Sequence, residues 1–131
     1  MFLFGLIIST ALVLSTAAPQ EDPSLKDKEF YQKVFEEVDP DTVLDNPRLL
    51  NSYLKCFYDE GPCSGHAKVV KESITPTLST VCGYCSEKQK SIFKYTLNKF
   101  IPVHPADWER ILTIYDPDKK YWPDVKTFIE S

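Results

Sequence analysis

The sequence predicts an all-α protein of about six short helices that form a compact globule held by two local disulfides. Three observations support this fold class. Apolar residues recur at helical spacing in one segment after another. Several of these segments begin with a helix-capping residue that is followed by proline. The alternation typical of strands occurs only in short runs that lie inside stronger helical patterns.

Two helices are predicted to begin in quick succession. Asp39 followed by Pro40 starts a short helix that runs to about Leu44, and Asn46-Pro47 starts a longer one, because a capping oxygen and then a proline are favoured at helix starts. Gly61-Pro62 ends the second helix. The apolar face of this helix is predicted from the spacing of Leu49, Leu50, Tyr53, Leu54 and Phe57.

The middle of the chain predicts two further helices separated by a proline. The third helix begins at Ser64, and Thr75-Pro76 restarts the chain as a short fourth helix, because proline disfavours a continuous helix. The residues predicted to face inward are Val69, Val70, Ile74, Leu78 and Val81.

The second half predicts a long helix, a shorter one and a loosely packed tail. Ser86 and Gln89 fit a capping box at the start of the fifth helix, and Pro102 ends it. Pro105 opens the sixth helix, and the tail from Tyr121 packs as a last loose helix. The apolar positions of these segments are Ile92, Phe93, Leu97, Phe100 and Ile101, then Trp108, Ile111, Leu112 and Tyr115, then Trp122, Val125, Phe128 and Ile129.

The first residues, MFLFGLIISTALVLSTAA, have the layout of a secretory signal. An apolar core from Leu3 to Leu14 is followed by small residues and the candidate cleavage site Ser15-Thr16-Ala17. A membrane anchor is the rival interpretation, but the apolar run is shorter than the ~20 residues that a bilayer needs. We therefore expect residues 1–17 to be a signal peptide and 18–131 to be one domain, secreted and without stable membrane insertion.

The charges argue against a nucleic-acid partner. Fifteen Lys and Arg are scattered among nineteen Asp and Glu, for a net charge of −4. Neither nucleic acid nor an anionic membrane surface attracts a mildly acidic and well-mixed surface.

Four cysteines in a secreted chain predict a framework of two bridges. The spacing Cys56-x6-Cys63-x18-Cys82-x2-Cys85 makes pairing between near neighbours the first hypothesis. The quartet Cys-Gly-Tyr-Cys also permits a redox site, but no βαβ pattern precedes it. A zinc site would need two short cysteine knuckles, and one pair here is six residues apart. A covalent clip at the corner before the fifth helix is favoured.

No pattern of catalytic residues is present. His66 and His104 have no partner at metal-ligand or triad spacing, so each is interpreted as a surface group. We find neither Gly-x-Ser-x-Gly nor His-Glu-x-x-His in the sequence. We therefore expect no enzyme activity, no metal and no cofactor. From periodicity alone, the apolar residues are consistent with a solid core, which is the norm, or with a core that contains a tunnel.

The cysteine spacing, set in RLLNSYLKCFYDEGPCSG and CGYCSEKQK, resembles the insect chemosensory proteins, also called the olfactory-segment-D family. VFEEVDPDTVLDN and DWERILTIYDPD are similar to blocks of that family upstream and downstream. The resemblance implies an α-helical globule with bridges Cys56–Cys63 and Cys82–Cys85, built around an apolar channel that accepts long aliphatic ligands.

By position, the resemblance also implies the channel wall. The residues carried over are Phe35, Val43, Leu44, Leu50, Tyr53, Leu54, Val70, Ile74, Leu78, Phe93, Leu97 and Trp108. Tyr53 and Trp108 can offer a hydrogen-bond donor to the polar head of a ligand, and Gln89 is a weaker candidate. Phe93 is bulkier than the residue expected at its position, which predicts a narrower channel.

The function that follows is a secreted, monomeric carrier of hydrophobic small molecules, such as long-chain semiochemicals or lipids, with a receptor protein as a further partner. The main alternative is a secreted interaction or signalling protein whose channel is vestigial. A core filled by Phe93 and Trp108, with an exposed apolar patch elsewhere, would favour that alternative. Free thiols would favour a third, a thiol oxidoreductase.

Overall fold

The computed structural model describes Glu29, Glu36, residues 38–63 and residues 65–131, so the predicted signal peptide lies outside the described residues. Over this described part the chain forms helices and no strand, which confirms the predicted all-α fold. The helices are α1 Pro40–Leu44, α2 Pro47–Phe57, α3 Gly65–Thr80, α4 Glu87–Val103, α5 Pro105–Tyr115 and α6 Trp122–Glu130. Among these helices, none is long and apolar enough to cross a membrane.

The predicted capping residues start three of the helices. The side chains of Asp39 and Asn46 accept backbone N–H groups at 3.0 and 3.2 Å and so cap α1 and α2. At the start of α4, the amide of Gln89 donates to Ser86 Oγ while the amide of Ser86 donates to Gln89 Oε1. These bonds satisfy N–H groups that have no partner within the helix.

The third and fourth predicted helices are one helix, α3, which continues through Pro76. The prediction of two helices was therefore wrong. A proline inside a helix costs about 3 kcal/mol because it removes a hydrogen bond and crowds the preceding turn. Burial of Thr77 and Leu78, which are 5% and 3% exposed, offsets this cost by packing the turn after the proline into the core.

The fifth predicted helix, α4, also passes its proline. It includes Pro102 and ends at Val103, one residue beyond the expected end. Pro102 has no N–H to donate to the carbonyl of Asn98, but the helix is held beyond it, because the amide of His104 donates to the carbonyl of Phe100 at 2.8 Å.

The core lies between α2 and the helices that follow it. Leu112 of α5 and Val125 of α6 are fully buried. The ring of Phe93 on α4 stacks on Phe128 of α6, with 6.1 Å between the ring centroids. The tail predicted to be loose is thus a helix packed on α4.

Asp116 joins α5 to α6. Its carboxylate is 2% exposed and accepts the backbone N–H groups of Lys120, Tyr121 and Trp122 at 2.8–3.2 Å. A buried carboxylate held by several N–H groups fixes the chain that surrounds it. No pattern in the sequence predicted this buried carboxylate.

Both predicted bridges are present. Cys56 is bonded to Cys63 across the end of α2, and Cys82 is bonded to Cys85 between α3 and α4. Val81 and Cys82 have positive φ angles of 53° and 57°, so the chain turns sharply at the corner that the second bridge closes. With all four cysteines paired, no free thiol is present in the described residues to support a redox site.

Candidate functional site

Side chains from α1 to α5 line an apolar cavity with a volume of about 210 Å³. Each of these helices turns part of its apolar face toward the same space, because short helices that meet at angles leave room between them. The result is a core that contains a cavity, the second of the two arrangements that the sequence allowed.

Eleven of the twelve residues predicted to form the channel wall lie on this cavity. Phe35, the twelfth, lies outside the described residues. That the eleven contact a ligand stays a prediction. They are Val43, Leu44, Leu50, Tyr53, Leu54, Val70, Ile74, Leu78, Phe93, Leu97 and Trp108.

Ten further residues line the cavity without having been predicted. They are Val38, Pro40, Phe57, His66, Ser73, Thr77, Ile92, Thr96, Phe100 and Ile111. Phe57, Ile92, Phe100 and Ile111 had been placed on the apolar helix faces, so periodicity carried a signal for them. The polar residues among the ten had no such signal.

Tyr53 and His66 form a polar pair in the wall. The phenol oxygen of Tyr53 lies 2.8 Å from Nδ1 of His66, and both side chains are partly buried. His66 is thus a cavity residue rather than the surface group that the sequence suggested. Burial raises the pKa of the Tyr53 phenol, because the charged phenolate is poorly solvated there.

Three residues were predicted as candidates to bind the polar head of a ligand, and of these Trp108 has an unpaired hydrogen-bond donor. Its Nε1–H is buried and has no hydrogen-bond partner among the described residues, while its ring packs edge-on against Trp122. Tyr53 already bonds to His66. Gln89 accepts a hydrogen bond within the capping box and does not line this cavity, so its candidacy is not supported.

Three hydroxyl groups also lie in the wall, and two of them are satisfied locally. Ser73 Oγ donates to the carbonyl of Val70, and Thr96 Oγ1 donates to that of Ile92, each at 2.7 Å. Thr77 Oγ1 is buried and has no hydrogen-bond partner within the described structure.

The wall is suited to binding apolar surface. None of the described residues that line it is Asp, Glu, Lys or Arg. Over the described residues there is also no group of three or more His, Cys, Asp or Glu side chains that could hold a metal. Such a wall removes hydrocarbon from water, which contributes about 0.8 kcal/mol for each buried methylene.

Comparison with known proteins agrees with this geometry. The family described as "Insect pheromone-binding family, A10/OS-D" matches residues 31–123. The chain belongs to this family. The predicted resemblance to the olfactory-segment-D proteins is therefore confirmed.

Individual relatives match most of the chain. "Putative odorant-binding protein A10" of Drosophila melanogaster is 40% identical over 91 residues, which are 70% of this chain and 59% of that protein. The match thus spans less than two thirds of that protein's length. "Ejaculatory bulb-specific protein 3" of the same species is 33% identical, over 70% of this chain and 72% of the relative. "Allergen Tha p 1" of Thaumetopoea pityocampa is 31% identical, over 79% of this chain and 82% of the relative.

A solved structure with a similar fold contains a ligand. "Chemosensory Protein in Complex with bromo-dodecanol" superposes on this chain with a TM-score of 0.64 and 25% identity, and the match covers 76% of this chain and 97% of that one. This similarity confirms the chemosensory-protein fold. The bromo-dodecanol of that complex is a halogenated aliphatic alcohol, bound by that protein.

Proposed function

We propose that the protein is a secreted carrier that binds hydrophobic small molecules with long aliphatic chains in the cavity and does not transform them. The observation that carries this proposal is the wall itself: five helices line one cavity, and its described residues include no acidic side chain, lysine or arginine. Enzymes that act on a bound molecule place reactive groups at such a site. The bromo-dodecanol complex of a protein with the same fold supports a ligand of this class.

The cavity volume is consistent with a ligand of moderate size. An engineered apolar cavity of about 150 Å³ binds benzene, and the volume here is about 210 Å³. A chain of ten methylenes would gain roughly 8 kcal/mol from burial, and association takes back several kcal/mol of that. A longer chain or a polar anchor is then needed for micromolar affinity.

The proposed setting is extracellular. The two disulfides support an oxidising compartment, in agreement with a signal peptide over residues 1–17 and a mature domain over 18–131. We propose a monomer, and the charge distribution supports the absence of a nucleic-acid partner. Delivery of the ligand to a receptor protein is one use of such a carrier.

The test is native mass spectrometry of the delipidated protein, titrated with fatty alcohols, acids and esters of increasing chain length. We expect one ligand for each protein chain, with affinity that rises with length up to a limit set by the cavity. Absence of binding across the series, in protein with both bridges formed, would contradict the carrier and favour the interaction protein.

A pair of variants locates the binding site. Val70→Phe replaces a small side chain of the cavity wall by a phenyl ring. Ligand binding should therefore weaken, or the longest aliphatic chain that binds should become shorter. Ile114→Phe makes the same kind of change at an exposed position on α5 that does not line the cavity, and it should have no effect. Equal effects of the two variants would show that ligands bind elsewhere.

A further inference from the structure

Thr77 is a buried helix residue whose hydroxyl has no hydrogen-bond partner among the described residues. A threonine inside a helix commonly donates to the carbonyl four residues earlier. Thr96, Thr113 and Thr127 make this bond at 2.7–3.0 Å. Thr77 is 5% exposed and makes no hydrogen bond with its side chain among the described residues.

An unpaired hydroxyl is unfavourable at such a position. A buried polar group without a partner loses its hydration and gains nothing in exchange, so most such groups in native proteins are paired. Thr77 is a residue of the cavity wall, but its Oγ1 is itself buried, so a rotation of the side chain about χ1 is needed before a group inside the cavity can supply the missing partner. The buried Nε1–H of Trp108, in the same wall, is also unpaired. Both atoms can donate a hydrogen bond.

The charge of the wall restricts what that partner can be. Its described residues include no lysine or arginine, and His66, the residue that can become cationic, is hydrogen-bonded to Tyr53. A carboxylate would lose its hydration on entering without meeting a strong counter-charge. A neutral oxygen loses much less and can accept a hydrogen bond.

We propose that Thr77 is a specificity-determining residue of the cavity, and that its hydroxyl bonds to a neutral oxygen of the ligand. The cavity then prefers aliphatic alcohols, aldehydes, ketones or esters to ionised fatty acids and to hydrocarbons. This inference rests on the proposed carrier function and adds the chemical class of the ligand's polar group.

The test compares ligands of one length in the delipidated protein. The probes are dodecan-1-ol, 1-chlorododecane and dodecanoate at neutral pH. The quantity of interest is the ratio of the affinities for the alcohol and the chloride, because this ratio separates the hydrogen bond from burial of the chain. Thr77→Val keeps the shape of the side chain but removes its hydroxyl. Thr77→Ser retains the hydroxyl.

We expect Thr77→Val to lower the alcohol-to-chloride ratio by about three- to tenfold, which is the usual contribution of one hydrogen bond. Thr77→Ser should keep the ratio within about twofold of the original. Thr113→Val is the control, because that hydroxyl also belongs to a helix threonine, is bonded to the carbonyl of Glu109 and does not line the cavity; it should leave the ratio unchanged. In the original protein dodecanoate should bind more weakly than the alcohol.

A second readout is the melting temperature without ligand. Thr77→Val should raise it by a few degrees, because an unpaired hydroxyl is replaced by a methyl group in apolar surroundings. Thr113→Val should not raise it, because the hydroxyl that it removes is already hydrogen-bonded.

Two results would overturn the inference while leaving the carrier intact. One is binding of both neutral probes with the same affinity ratio in Thr77→Val as in the original protein. The other is tighter binding of dodecanoate than of dodecan-1-ol. If no probe binds any variant, the carrier function fails, and the inference fails with it.

Discussion

The phenol oxygen of Tyr53 lies 2.8 Å from Nδ1 of His66, and this contact joins α2 to α3 in the wall of the cavity. Burial makes the protonated phenol the favoured form and raises its pKa above the ordinary value of 10.0. Tyr115 is affected in the same way. Burial and the neighbouring Asp107 carboxylate raise the pKa of Tyr58 further.

These tyrosines predict a loss of stability at alkaline pH. The unfolded chain releases phenol protons near pH 10 and the folded chain releases them later, so above about pH 10 the folded state binds more protons. These phenols should therefore leave the free energy of unfolding nearly constant below about pH 10 and should lower it as the pH rises further. Urea denaturation between about pH 9 and about pH 11, with tyrosinate absorbance measured in parallel, checks this. A profile that stays flat above pH 10 would contradict it.

At acidic pH we expect the opposite trend, in which Asp41 makes the protein less stable as the pH falls. The ammonium of Lys99, at 2.7 Å, and then the phenol of Tyr95 lower the pKa of this carboxyl below 3.8. A carboxyl group whose pKa is lower in the folded chain than in the unfolded chain stabilises the fold at pH values above its unfolded-state pKa. This stabilisation is lost as the pH falls through its folded-state pKa. In an NMR titration the Asp41 midpoint should lie below 3.8 and should rise in Lys99→Met. The same midpoint in both proteins would show that the contact is not formed in solution.

Phe93 should limit the length of the ligand. It is 7% exposed, lines the cavity and stacks on Phe128. Phe93→Leu should enlarge the cavity, so that the longest aliphatic chain that still gains affinity is extended by one or more methylenes, while stability falls by about 1 kcal/mol or more. Phe128→Leu is the control, because Phe128 does not line the cavity; it should lower stability without changing the length limit. A shift of the limit in both variants, or in neither, would remove Phe93 from this role.

Asp116 should be needed for docking of α6. Asp116→Ala removes the acceptor for three backbone N–H groups around the start of that helix, and we expect a loss of about 2–4 kcal/mol. Asp118→Ala changes an exposed carboxylate in the same loop and should be close to neutral. Urea denaturation measures both. Similar small losses in the two variants would mean that α6 is held by its apolar face alone.

Local signals in the sequence were sufficient where the structure is determined locally. Asp39, Asn46 and Ser86 begin their helices as predicted, because a cap depends on a few adjacent residues. The prediction that the helix breaks at Pro76 was wrong, because the structure there does not depend on adjacent residues alone. Burial of Thr77 and Leu78 comes from distant helices, and no local rule contains that packing energy.

For the cavity, too, local sequence patterns predicted only the features that do not depend on contacts between helices. Periodicity placed apolar residues such as Leu54 and Leu97 on inner faces but could not separate a filled core from one with a cavity; the positions came from the family resemblance. Among the polar groups of the wall, those of Tyr53 and Trp108 came from the resemblance, and no signal predicted the others, which belong to His66, Ser73, Thr77 and Thr96. Whether the hydroxyl of Thr77 finds a partner depends on its rotamer and on neighbours from other helices, and sequence spacing specifies neither.

The cavity also bears on how long a single molecule of the protein resists proteolysis. Close packing is absent from about 210 Å³ of the core, which lowers the free energy of unfolding by up to about 5 kcal/mol at the rate measured for enclosed cavities left by core substitutions. That is a large part of the 5–15 kcal/mol that stabilises a typical domain. A bound molecule restores those contacts and lowers the population of opened chains that proteases cleave. Under the proposed function, empty carriers are therefore degraded before loaded ones, and the age of the circulating pool follows the supply of ligand.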